Sequence, residues 1–268
     1  MTRNFIVLTA AALALASTGC EKLKARDNLN RGVAAFKGAK YADAERYFLK
    51  AVELDPTYVT SHLYLATAYV NQYIPGADSP ENNRMADNAF KAFNRVLEME
   101  PTNIVATASI ASLYFQKKEF DKAVEWNKKL IAIDPNNKDA YYTLGVIAWT
   151  KWLVPDREAR NKMGMKPEDP GPLKDKKARE ELKAQYLPIL NDGIENMKKS
   201  LEIDKDYDEA MAYMNLLIRY RADLMDTADD YKKESEIADN WVQKALATKK
   251  VKAEKAALKS GGIVNDVK

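Results

Sequence analysis

Four stretches of this chain share one design, and they constrain what it can fold into: AERYFLKAVELDPTY (residues 44–58), AFKAFNRVLEMEPTN (89–103), AVEWNKKLIAIDPNN (123–137) and GIENMKKSLEIDKDY (193–207). Each opens on a small residue, carries a bulky one four positions later (Asn127 in the third), and closes on Pro or a turn former eight beyond that. The first two positions lie on one face of a helix, and the last ends it. Pro101 and Pro135 stand 34 residues apart. A helical hairpin of that length cannot bury its apolar face alone, so successive copies must stack. From about residue 25 onward the sequence is rich in Ala, Leu, Lys and Glu with almost no strand-like alternation, which predicts an all-α fold.

The period and its recurring residues resemble the tetratricopeptide family, whose fold is a solenoid of helical hairpins. The resemblance implies five repeats, at about 25–58, 59–103, 104–137, 138–207 and 208–247. In the first, Gly32, Phe36, Tyr41, Ala44, Phe48, Ala51 and Pro56 fall where the family places its small residues, ring packers and closing proline. The second carries Leu65, Ala66, Tyr69, Ala89, Phe93, Val96 and Pro101. The third carries Ile110, Ala111, Tyr114, Phe120, Ala123, Leu130 and Pro135, with Asn127 where an aromatic is usual. The fourth opens on YYTLGVIAW and resumes at Gly193, Met197 and Ser200, with Lys205 in place of the proline. The fifth is marked by Met211, Met214, Tyr220, Ala238, Val242 and Ala245.

Departures from the period are as informative. Pro56 and Pro101 are 45 residues apart, 11 in excess, and Pro135 and Lys205 are 70 apart, 36 in excess of one period. All the insertions fall between the two helices of a repeat. IPGADSPENNR, with two prolines and a glycine, reads as a loop in repeat two. The main insertion, about 152–186, holds Pro155, Pro167, Pro170 and Pro172 before LKDKKAREELKAQYL, and reads as an excursion plus one extra helix. In repeat five RADLMDTADDYKKESEIADNW is suited to lengthening a hairpin. Residues 248–268 read as a basic tail, partly helical, with SGG interrupting any helix. On this reading the 152–186 segment is a second binding surface, and deleting 156–180 leaves the remaining solenoid helical.

The N-terminus carries a different message. MTRN and the apolar FIVLTAAALALA have the size of a signal-peptide n-region and h-region, too short for a mature membrane span. Ser17, Thr18, Gly19 and Cys20 then resemble a bacterial lipobox, with Ser17 where Leu is usual. That resemblance implies a lipoprotein signal peptide at 1–19, a lipid on Cys20, a short tether at 20–24, and export to the cell envelope. Glu21 in place of Asp implies the outer membrane, facing the periplasm. Removal of Arg3 would leave 41 basic residues against 39 acids, interspersed along the chain, so no face is basic enough for nucleic acid. With Cys20 the single cysteine, no disulfide framework exists.

Nothing points to chemistry. His62 is the one histidine, at a position that is structural in the family, and no metal-ligand spacing, phosphate loop or nucleophile elbow occurs. The oxygen-rich GADSPENN is weak as a calcium loop. The expectation is no enzyme, no metal and no cofactor, but binding.

Tetratricopeptide solenoids bind extended or helical segments on the face lined by first helices. The positions implied are Asn30 and Lys37; Tyr64, Thr67 and Asn71; Ser109, Ser112 and Gln116; Tyr142, Thr143 and Trp149; and Tyr213 with Tyr220. This set is polar, mostly uncharged and aromatic, suited to a peptide backbone. The carboxylate clamp of heat-shock co-chaperones is missing: Leu29, Val33, Tyr64, Val105 and Ser109 occupy its places. Two functions fit: a membrane-anchored envelope scaffold or assembly factor for protein partners, or an accessory protein binding a glycan or small ligand through its aromatic groove.

Overall fold

The computed structural model describes the backbone of residues 2–166 and 169–261 and the side chains of residues 19–166 and 169–258. The apolar side chains of the signal-like segment therefore lie outside the described residues. Among those described there are ten helices and no strand. They fall into two compact units, Met1–Lys129 and Leu130–Lys268.

The first unit holds α1 (Thr2–Lys37), α2 (Tyr41–Leu54), α3 (Val59–Gln72), α4 (Pro80–Met99), α5 (Ile104–Gln116) and most of α6 (Phe120–Ile133). Its core is made by small residues that let helices approach. Ala44, Phe48 and Ala51 on α2 are fully buried, and a Cβ on Gly32 would sit 2.3 Å from the Phe48 ring. The α1–α2 turn passes through Ala39 at φ 57°, and the α5–α6 turn through Lys118 at φ 60°, both left-handed. Between repeats one turn recurs four times: the amides of Tyr58, Asn103, Asn137 and Tyr207 donate to the carbonyls of Asp55, Glu100, Asp134 and Asp204, at 3.1, 3.0, 3.1 and 3.3 Å. Asn127, buried in place of an aromatic, donates its amide to the Ala123 carbonyl at 2.8 Å.

The second-repeat insertion is only partly a loop. Residues 73–79 form the turn, and PENNR joins α4, which reaches 20 residues against 14 in α2. Ser79 caps that helix and Pro80 takes its first position, where a missing N–H costs nothing. The buried Asn82 amide donates to the Ile74 and Ala77 carbonyls at 2.9 and 2.8 Å, while its Oδ1 accepts from the Ile74 amide at 2.7 Å. The turn of GADSPENN is thus held from within.

The second unit contains the end of α6, α7 (Lys138–Lys162), α8 (Lys176–Ile203), α9 (Asp208–Ala222) and α10 (Ala228–Gly261). Among the described residues the helix expected in the main insertion is not a separate element but the first part of α8. Helix α7 runs on through Pro155 to Lys162 and α8 starts at Lys176 and passes Pro188, so the insertion lengthens both helices of one hairpin. Trp152 and Tyr186, 5.1 Å apart, pack the two against each other. Nor does the tail stand apart: α10 continues past residue 247 through Ser260 to Gly261, because Thr248 touches the Met211 sulfur at 3.6 Å and Lys252 pairs with Asp208 at the start of α9. The last seven residues, 262–268, lie outside the described residues.

The insertion also belongs to the core. Arg160 is 5% exposed and is the centre of a buried charge cluster. Its guanidinium lies 3.2 Å from Asp156 Oδ1 and 2.7 Å from Asp223 Oδ2, and donates to the carbonyls of Lys166 and Asp169, each at 3.3 Å. Leu173, fully buried, donates its amide to the Asp223 carbonyl at 2.9 Å, and Arg179 Nη1 donates to the Leu173 carbonyl at 2.5 Å. Deletion of 156–180 would empty this cluster, contrary to the expectation that the solenoid tolerates it.

Candidate partner-binding faces on the first helices

Each set of groove residues falls on the first helix of its repeat, as implied. In the first unit Asn30 and Lys37 are exposed on α1, Tyr64, Thr67 and Asn71 lie on α3, and Ser109, Ser112 and Gln116 on α5. Their polar groups are partly engaged along their own helices. Thr67 Oγ1 donates to the Leu63 carbonyl at 2.8 Å and Asn71 Nδ2 to the Thr67 carbonyl at 2.9 Å, which leaves the Asn71 carbonyl oxygen as an outward acceptor. Gln116 Nε2 donates to Ser112 Oγ at 3.2 Å. Tyr64 leans on Phe48 at 5.4 Å between ring centres and is still 36% exposed.

The second unit holds a denser constellation. The Tyr213 ring on α9 is met edge-on by Tyr142 at 5.5 Å and by Trp149 at 5.4 Å, both on α7. Edge-to-face packing of this kind fixes ring orientation, so the cluster is a preformed platform. Tyr207 extends it, 5.1 Å from Tyr142, with its hydroxyl donating to Asp139 Oδ1 at 3.1 Å and Lys138 Nζ above its ring at 4.4 Å. Burial pushes the Tyr142 hydroxyl up to about 12, with Tyr213 adding to it. The Trp149 indole N–H is buried without an acceptor. Thr143, one position from Tyr142, spends its hydroxyl on the Asp139 carbonyl at 2.7 Å.

Tyr220 does not join this platform. It lines a separate cleft of about 300 Å³ with Arg160, Arg219, Asp223 and Tyr231, and burial followed by Asp156 and Asp223 raises its hydroxyl. Conversely, Tyr207 was missed because it lies in the turn before α9 rather than on a first helix. Its repeat-one counterpart, Tyr58, stands at the same place in the DPTY turn and was the available signal.

His62 is structural: 6% exposed, its Nε2 lies 3.0 Å from the Pro56 carbonyl, which can only accept, so that nitrogen carries the proton. Among the described residues no group of three or more His, Cys, Asp or Glu is placed to hold a metal ion. No helix among them is long and apolar enough to cross a membrane.

Against known families, residues 29–104 match the tetratricopeptide repeat model and residues 111–151 a second TPR repeat model. The chain carries tetratricopeptide repeats. A curated relative, Hsp70-Hsp90 organizing protein 2 of Arabidopsis thaliana, is 26% identical over 159 residues, which is 59% of this chain and 24% of that protein. This chain therefore spans about a quarter of that relative. Among solved structures, a MamA protein is 18% identical with TM-score 0.56, covering 86% of this chain and 94% of its own. A MamA fragment from Desulfovibrio magneticus RS-1 is 15% identical with TM-score 0.56, covering 85% and 96%. At such identities the likeness establishes the tetratricopeptide solenoid fold. Tetratricopeptide repeats are protein-interaction modules, and that is the coarse function of this one.

Proposed function

We propose that this tetratricopeptide protein is a scaffold of a bacterial cell envelope, anchored by a lipid on Cys20 in the outer membrane and facing the periplasm. The observation that carries the binding part is the edge-to-face platform of Tyr142, Trp149 and Tyr213 on consecutive first helices. Rigid rings of this kind suit the side chains of an extended peptide, which they stack, and in the first unit an outward acceptor such as the Asn71 side-chain oxygen suits its backbone. The anchoring part rests on the STGC motif and on Cys20, an exposed free thiol. Two or three acyl chains there would hold the protein firmly, where one chain alone is marginal. A co-chaperone role like that named for the plant relative is not part of this proposal, since Leu29, 6% exposed, and Val33, Tyr64, Val105 and Ser109 occupy the places where the resemblance implies a carboxylate clamp.

Two experiments test this. Cells expressing the Cys20→Ser variant are labelled with an alkyne fatty acid and fractionated. Label and membrane association are expected to vanish together, and a variant that stays in the membrane fraction sinks the anchor. Photo-crosslinkers placed at Tyr64 and Tyr213 in intact cells are expected to capture a protein. A glycan or small molecule captured in its place would favour the second reading, for which the unpartnered Trp149 N–H is the supporting observation.

A further inference from the structure

The α7–α8 extension has two faces. One is closed by repeat five, through Arg160 on Asp223 and Lys183 on Asp226 at 2.7 Å. The opposite face is open, a cleft of about 530 Å³ floored by Pro155, Ala159, Leu182 and Tyr186. Val154, 58% exposed, stands at its mouth. Glu158, Asp175 and Glu181 line it as well, together with Lys162. Lys162 and Lys177 stand one turn from Glu158 and Glu181, yet neither pair closes among the described residues. An apolar floor rimmed by three carboxylates against one lysine is complementary to one kind of surface.

We infer that this cleft docks a short amphipathic segment of a partner protein, with an apolar side chain seated against Leu182 and Tyr186 and a lysine or arginine answering each of Glu158 and Glu181. The apolar floor supplies the affinity, because covering it removes exposed carbon from water. The acids set the sign of the partner and its approach rate. An acidic segment would meet like charge on both sides and be rejected. This surface is distinct from the aromatic platform, since α7 presents Val154, Pro155 and Glu158 here and Tyr142 and Trp149 there.

The test uses the purified full chain and a fluorescein-labelled helical probe of leucine and lysine, about four turns long, with a leucine–glutamate probe as its counterpart. Anisotropy is expected to show binding of the lysine probe only. The double variant Glu158→Lys/Glu181→Lys should lower its affinity at least about tenfold at 0.15 M salt, and more at about 0.01 M, where charges act over a longer range. A control with the same charge change elsewhere, Glu81→Lys/Glu202→Lys, should bind as the parent does. Leu182→Ser should weaken binding, and Tyr213→Ala should leave it unchanged. Equal binding of both probes, equal loss in the control, or full binding by the double variant would overturn the inference. So would a concentration-dependent dimer in sedimentation that the double variant abolishes, because the occupant would then be a second copy of this chain.

Discussion

Arg160 Nη2 on α7 lies 2.7 Å from Asp223 Oδ2 just beyond α9, and the two side chains are 6% and 4% exposed. With Asp156 on its other side, this one guanidinium answers two buried carboxylates. Removing it as Arg160→Met would strand both acids, at a cost of about 3–5 kcal/mol. Deleting residues 156–180 should unfold the second unit for the same reason. Urea titration followed by circular dichroism checks both, and a deletion that retains parental helicity would show the cluster to be dispensable.

The same cluster gives a pH dependence. Burial pushes Asp223 up to about 7, against the pull of Arg160 and with Asp156 adding to the rise. Burial raises Asp156 too. The folded chain thus holds a proton that the unfolded chain releases near 3.8. Its contribution to stability is complete below that value and is lost as pH rises through about 7. Asp223→Asn is expected to flatten the stability profile across this window, since it removes the surplus charge and leaves Asp156 on Arg160. A variant profile as steep as the parent's would place the titration elsewhere.

Two glycines at the α7–α8 contact should differ in their tolerance of alanine. A Cβ on Gly193 would meet the Ala148 Cβ at 2.6 Å, where only backbone movement gives relief, whereas a Cβ on Gly145 would meet chiefly the unbranched Met197 side chain, at 2.5 Å from Cε and 2.9 Å from Cγ, with the Gly193 carbonyl at 3.1 Å. Overpacking costs about 1–3 kcal/mol, partly offset by the gain of about 1 kcal/mol in helix propensity. Thermal unfolding should show Gly193→Ala to be the more damaging of the two.

The left-handed turns invite the opposite change. Ala39 and Lys118 carry side chains at φ 57° and 60°, where a Cβ is strained, and glycine is the usual occupant of such helix ends. Ala39→Gly and Lys118→Gly should each stabilise by roughly 0.5–1 kcal/mol, after the entropy glycine adds to the unfolded chain. A lower melting temperature in both would contradict these turns.

Trp149 packs on Tyr213 but leaves its N–H without an acceptor. A buried unsatisfied donor costs about 1–3 kcal/mol, so Trp149→Phe should lie within about 1 kcal/mol of the parent, while Trp149→Ala should cost about 3 or more. A phenylalanine variant as unstable as the alanine one would mean that the N–H has a partner.

The hairpins, their small-residue contacts and the first-helix faces were legible because they are local or repeated: Ala44, Phe48 and Gly32 announce their contacts by spacing alone. The second unit was harder. Pro155 reads as part of an excursion, since proline removes a helical N–H, yet packing such as Trp152 on Tyr186 carries α7 through it, as α8 runs through Pro188. Nothing in sequence ties Arg160 to Asp223, and a lone charge in a chain with 30% charged residues looks like solvated surface. Lys252 and Asp208 are likewise far apart in sequence, so the helix they hold against α9 looked like a tail. Tyr207 is signalled in sequence only by its counterpart Tyr58 in the same turn, and its place beside Tyr142 belongs to the fold.

Arrays of this kind are usually treated as interchangeable modules, each able to be cut out, duplicated or exchanged at a boundary. The Arg160–Asp223 contact removes that freedom at one boundary. A substitution in the turn after α9 changes what the α7 extension can bury, so repeats four and five must drift together and be transplanted together. A chimera joined between Ile203 and Asp208 would inherit half of a charge cluster, whereas one joined between Leu54 and Val59 would cut no buried ion pair among the described residues, though it would cut a hydrogen bond from Gln72 to Glu45.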